Sequence, residues 1–167
     1  MPPLRLYVAI AAIFVALAAC SSACDDDPEA SSTDVATPAQ LATIELRHRE
    51  TLFTVEVADT AASRALGLGE RDAMPPHAGM LFDLGETRVP SFSMRGMRFP
   101  LDIIWIDAAM RVYGIEANVP YQPGVPPSEL PSYSPGIPVR YALELNAGTA
   151  ASAGIAPGDQ LQFNLPD

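Results

Sequence analysis

Apolar side chains recur at every second position in several short runs of this chain. Ile44 and Leu46 alternate with Glu45 and Arg47, and Phe53, Val55 and Val57 alternate with Thr54 and Glu56. Two period-2 runs around His48-Arg49-Glu50 predict an antiparallel hairpin beginning at Thr43. Further strands are expected at Gly79–Leu84, Arg111–Asn118 and Gln160–Asn164, and Val139–Leu145 places Val139, Tyr141, Leu143 and Leu145 on one face. Val89–Met94 is a weaker strand, pushed towards an edge by Pro90. Ile103-Ile104-Trp105-Ile106 lies unbroken inside Leu101–Ile106, the pattern of a strand buried on both faces.

Helical signals are few. Thr60 offers an N-cap to Ala61–Leu68, with Gly67 or Gly69 as its stop, and Ala147–Ala153 suits one or two turns before Gly154. Seven prolines between Pro120 and Pro138 exclude a helix interior or a central strand there, leaving a long loop. Seven or eight short strands with two short helices predict a mainly β fold, a jelly-roll-like sandwich or a squashed barrel.

The N-terminus follows another pattern. Arg5 precedes an apolar run from Leu6 to Ala19. About fourteen residues would reach roughly 21 Å as a helix, short of a ~30 Å hydrocarbon core. Charge, apolar run and small residues in this order match a secretory signal. Leu17-Ala18-Ala19-Cys20 resembles the lipobox of bacterial lipoproteins, which implies cleavage before Cys20 and acylation of its thiol. Ser21 after the Cys implies, by the same resemblance, the periplasmic side of the outer membrane in a diderm cell. Residues 20–42 are rich in Ser, Ala, Thr, Asp and Pro and are expected to be a flexible tether. The expected organisation is therefore a signal peptide at 1–19, a lipidated Cys20 and tether at 20–42, and one β-rich domain at 43–165. Both cysteines, Cys20 and Cys24, precede that domain, so it can form no internal disulfide.

Charge narrows the partners. Residues 41–167 carry nine Arg, no Lys and fifteen Asp plus Glu, a net charge of −6. Such a domain repels polyanions, so nucleic acid is not an expected partner, and membrane contact should come from the lipid on Cys20. His48 and His77 have no Cys or His at ligand spacing, so neither a metal nor a cofactor is expected. The domain also lacks a Cys nucleophile and a Gly-x-Ser-x-Gly elbow.

Ser91–Asp107 is the densest stretch of unusual residues. Phe92-Ser93-Met94-Arg95, then Phe99-Pro100-Leu101-Asp102-Ile103-Ile104 and Ile106-Asp107, resemble the family known as domain of unknown function 192. Val57-Ala58-Asp59-Thr60, Arg64, Gly67-Leu68, Gly79-Met80-Leu81-Phe82, Glu144-x-Asn146-Ala147-Gly148 and Gly154-Ile155-x-Pro157-Gly158-Asp159 continue the match in order. The similarity spans about residues 45–164. It implies a predominantly β, jelly-roll-like domain carried on exported bacterial proteins, and brings no established activity. Two positions depart from the pattern: the usual Trp is Ser93, and the usual Lys-Asn pair is Arg95-Gly96.

Met94, Arg95, Asp102, Glu144 and Asn146 match family positions of polar or unusual character. Alternation also puts Arg140, Glu144 and Asn146 on one face. If the strands bearing Asp102 and Glu144 are neighbours, Arg95, Asp102, Arg140, Glu144 and Asn146 could form one polar cluster, with Arg95 pairing Asp102, and these five with Met94 are the candidate ligand-binding residues. Three readings follow. The leading one is a lipid-anchored, exported domain that binds a small molecule, a glycan or an envelope protein. A hydrolase or isomerase using Asp102, Glu144 and Arg95 is the alternative, and a purely structural scaffold is the third.

Overall fold

A computed structural model describes residues 40–166. The signal-like run, Cys20 and most of the expected tether lie outside the described residues. Six strands form one sheet: β1 (Thr43–His48), β2 (Thr51–Ala58), β3 (Ala78–Arg88), β4 (Leu101–Ile106), β5 (Val112–Val119) and β6 (Val139–Asn146). Their spatial order is β1-β2-β3-β6-β4-β5. Two short helices, α1 (Ala61–Leu66) and α2 (Thr149–Ser152), complete the regular structure, with a 3-10 turn at Pro127–Glu129 in the proline-rich loop.

The mainly β class with two short helices is what the residue pattern predicts. The sheet does not close into a barrel, and two expected strands do not form. Val89–Met94 makes a single bridge, Phe92 to Tyr133, because Pro90 withholds a donor and the chain is leaving the sheet. Gln160–Asn164 makes only isolated bridges, Gln162 to Arg47 and Gln160 to Arg111. This segment bonds first one edge of the sheet and then the other, so it builds no ladder with either.

The hairpin β1–β2 turns through Arg49-Glu50, with His48 opposite Thr51. The β2–β3 pair is parallel, and a parallel pair needs a crossover, which α1 supplies. Thr60 begins that crossover as an N-cap: it accepts from the Ser63 amide while the Ser63 side chain accepts from the Thr60 amide. All six residues of β4 are buried, as its unbroken apolar run requires. Trp105, 1% exposed, packs edge-on against Phe92 at 5.3 Å between ring centres.

Both faces of the sheet are covered. Leu81, Ile104, Ile106, Leu143 and Leu145 pack on one face under Ala150, Ile155, Leu161 and Phe163 of the C-terminal segment. Met80, Phe82, Leu101, Ile103, Trp105 and Ala142 pack on the other under Leu68, Met74 and Met94. Successive residues of β4 and β6 therefore go to opposite sides. That alternation decides which candidate side chains can meet.

Candidate functional site

On β6, Glu144 stands opposite Met80 of β3 and Ile103 of β4. Both neighbours are at most 1% exposed, and Glu144 itself is 6% exposed. No described residue hydrogen-bonds its carboxyl, and burial alone pushes its pKa up to about 8. An ionised carboxylate is largely stripped of its hydration shell here, which favours the neutral acid at neutral pH. A central strand thus carries, at a position its alternation marks as polar, a buried carboxylic acid able to donate a hydrogen bond.

Glu144 opens onto a cleft of about 650 Å³, within the range of small-molecule sites. One wall is the end of α1 and the loop after it, Arg64–Gly69; the other runs along β3 and on through Arg88–Ser93 to Arg95 and Met97. Pro127 brings the proline-rich loop to the same cleft. Arg64 fixes the first wall by donating to the carbonyls of Asp59 and Asp83. Gly67 ends α1 at φ +54, and a Cβ there would sit 3.4 Å from the Phe82 ring, which also lines the cleft. The Glu70 amide donates to the Gly96 carbonyl at 2.9 Å, joining the two walls. The proline-rich loop is tied down by paired backbone bonds between Phe92 and Tyr133 and by a 2.6 Å contact between the Ser91 and Ser132 hydroxyls.

Of the six residues singled out from the sequence, the cleft is lined by Arg95 and Glu144. Asp102 is on a strand adjacent to Glu144, as the cluster required, but Glu144 faces Ile103, so Asp102 projects to the opposite side of the sheet. It is fully buried and accepts from the amides of Asn118 and Ala150, each at 2.8 Å. The second bond satisfies the start of α2, whose N-cap Gly148 has no side chain to do so. Arg95, expected to pair with Asp102, is exposed and enters no salt bridge among the described residues. Arg140 pairs with Asp83 through both terminal nitrogens and lies over the Tyr141 ring at 4.7 Å. Asn146 donates to the carbonyls of Met74 and Pro75, holding the Met74–His77 loop. Met94 is a buried core residue. The expected single polar cluster is thus divided into a cleft and several structural contacts.

A model of the domain of unknown function 192 family (DUF192, an uncharacterized ACR) matches residues 42–163. The chain belongs to this family. Two solved structures share the fold. A protein of Sinorhizobium meliloti 1021, named as a candidate transcription regulator, is 34% identical with a TM-score of 0.69, covering 76% of this chain and 98% of its own. A protein of unknown function from Novosphingobium aromaticivorans DSM 12444 is 30% identical with a TM-score of 0.62, covering 73% of this chain and 84% of its own. No curated protein matches.

Within this DUF192 domain, sequence reasoning missed Arg64, Arg88, Ser91 and the apolar wall of the cleft. Arg64 was visible only as a family position, and Arg88 sits at the end of a strand longer than its alternation suggested. Ser93 lines the cleft with a hydroxyl where the family pattern carries Trp. Gly96 has φ +73, a conformation that Gly and Asn tolerate best. Among the described residues, no group of three or more His, Cys, Asp or Glu is placed to hold a metal ion.

Proposed function

We infer that this domain is a binding module for a small molecule, and that the cleft over Glu144 is where the molecule sits. One observation carries the reading: Glu144 is buried, lacks a hydrogen-bond partner among the described residues, and lines an open cleft. A largely desolvated carboxyl at the wall of a cleft is a hydrogen-bonding group that a bound molecule can reach. The walls suit such a role, combining apolar rings with hydroxyls and guanidinium groups. Asp102 and Glu144 face opposite sides of the sheet, so the hydrolase or isomerase alternative lacks its second carboxylate. The net charge of −6 over residues 41–167 opposes the nucleic-acid role that the Sinorhizobium protein's name suggests.

The module is proposed to work at the cell envelope, held by lipid on Cys20 and exported by the segment before it. Support comes from Leu17-Ala18-Ala19-Cys20 and the apolar run that precedes it. Among the described residues, no helix is long and apolar enough to cross a membrane.

A fragment screen on the isotope-labelled protein tests the binding site directly. Compounds that bind should shift backbone signals of residues 64–69, 88–97 and 144 together. A screen with no binders, or with shifts confined to other surfaces, would overturn the reading.

A further inference from the structure

The cleft reverses the charge of the domain around it. Fifteen Asp and Glu face nine Arg over residues 41–167, yet the charged residues lining the cleft are Arg64, Arg88, Arg95 and Glu144. Arg64 is committed to two backbone carbonyls. Arg88 and Arg95 are exposed and enter no salt bridge among the described residues, a state shared by Arg47 and Arg111 outside the cleft, whereas Arg49, Arg71, Arg98 and Arg140 each pair with an acid. Leu66 and Val89, both exposed, and the half-buried Phe92 and Met97 supply the apolar part of the wall, with Leu68, Phe82 and Leu84 buried behind it. The lining therefore offers two uncommitted cations, an apolar body and one buried hydrogen-bonding group.

We propose that the cleft selects small amphiphilic anions: molecules whose charged group is held by Arg88 and Arg95, whose body lies on the apolar wall, and whose neutral acceptor atom receives a hydrogen bond from Glu144. Guanidinium groups recognise carboxylates and phosphates through paired N–H bonds. A protonated carboxyl donates to a carbonyl or ether oxygen, and burial favours that protonated form. Met80 on β3 and Ile103 on β4 flank Glu144 and carry no charge, and the other charged residues lining its cleft are Arg64, Arg88 and Arg95. Ionisation of Glu144 would remove the donor and place a negative charge in the path of an anion.

Such selectivity presupposes that the cleft binds small molecules, and the two claims fail separately. The test uses monomethyl esters of adipic, suberic and sebacic acids, which join a carboxylate, an apolar chain and a neutral ester carbonyl. Each dimethyl diester lacks the charge, and octanoate lacks the second acceptor. Binding is read by chemical-shift titration of the labelled protein. A monoester should bind at the cleft at least fivefold more tightly than its diester and than octanoate. Its affinity should fall at least fivefold between pH 7 and pH 9, a range over which its own carboxylate stays ionised. The double variant Arg88→Gln/Arg95→Gln should bind monoester and diester alike, and Glu144→Gln should bind the monoester without the pH dependence. A cleft that binds the diesters equally well, or that keeps its preference in the double variant, would overturn the anion selectivity while leaving the binding module standing. No binding at the cleft by any of these compounds would overturn the selectivity, and failure of the wider fragment screen would remove the module as well.

Discussion

Two carboxyl groups on neighbouring strands of this domain show how one sheet register gives like residues unlike chemistry. Asp102 has two amide donors and Glu144 has none among the described residues. Replacing Asp102 with Asn leaves one acceptor oxygen for two N–H groups and turns an amide donor towards the other. The variant should be destabilised by about 2–4 kcal/mol in urea unfolding, the range for losing a charged bond and leaving a buried donor unpaired. A loss below about 1 kcal/mol would mean that Asp102 does not hold α2. Glu144 makes a different prediction because its proton is held more tightly folded than unfolded. Between the ordinary carboxyl value of 4.5 and about 8, the folded state keeps a proton that the unfolded state has lost. Stability should therefore decline with rising pH by up to about 1.4 kcal/mol per unit across that window, and level off above it. Glu144→Gln removes this slope. Measured against wild type at pH 5, 6, 7 and 8, the variant should gain relative stability at each step, and parallel curves would contradict a raised pKa. The carboxyl of Asp159 is held below its usual value, by the Ala156 amide first and then by His48 and Arg49. Its stabilising effect is lost only in more acid solution, outside the window in which Glu144 acts.

At the scale of elements, the sequence was legible wherever a segment's own pattern decided its fate. The period-2 runs located β1, β2 and β6, the unbroken apolar run located β4, and Thr60 located α1. Pairing was not legible. Nothing within β4 or β6 says that Glu144 faces Ile103 rather than Asp102, yet that one-residue difference separates a shared cluster from two unrelated sites. Nor does local pattern show that the C-terminal segment bridges both sheet edges instead of adding a strand, since those bonds join residues more than a hundred positions apart or on another edge. Glu144 itself was legible as an acid within an alternating strand, but its isolation depends on Met80 and Ile103, which tertiary pairing brings beside it. The β3–β6 seam that carries Glu144 also constrains Gly79. A Cβ at Gly79 would lie 2.7 Å from both the Glu144 carbonyl and a Leu145 methyl carbon, and a backbone atom cannot swing aside. Gly79→Ala should cost about 2–3 kcal/mol, within the range of overpacked interiors. Near-native stability would show that the seam yields more than its close contacts imply.

At the scale of the molecule, an acidic domain places two exposed arginines without acidic partners among the described residues, Arg88 and Arg95, at one cleft, and the lipid anchor proposed for it lies before the domain. The anchor reading predicts that Cys20→Ser, with the signal still cleaved, releases the protein from membranes and removes the acyl mass. Retention on membranes would show that something other than this lipid holds it. One acyl chain binds marginally and two or more bind stably, so loss of the site should be close to complete release. Trp105, one aromatic ring behind the Phe92 that lines the cleft, should fluoresce blue-shifted when folded and red-shifted in urea; a red-shifted folded spectrum would remove β4 from the core. The binding site rests most heavily on the ionisation state of a single group. Carbon-13 labelling of the glutamate side chains, with Glu144→Gln used to assign the signal, allows that carboxyl to be titrated directly in the folded protein. Glu144 in the free protein should titrate with a midpoint at about 8. A midpoint at the ordinary 4.5 would mean that the carboxyl is hydrated or paired, and would contradict a cleft built around a neutral, unpartnered acid.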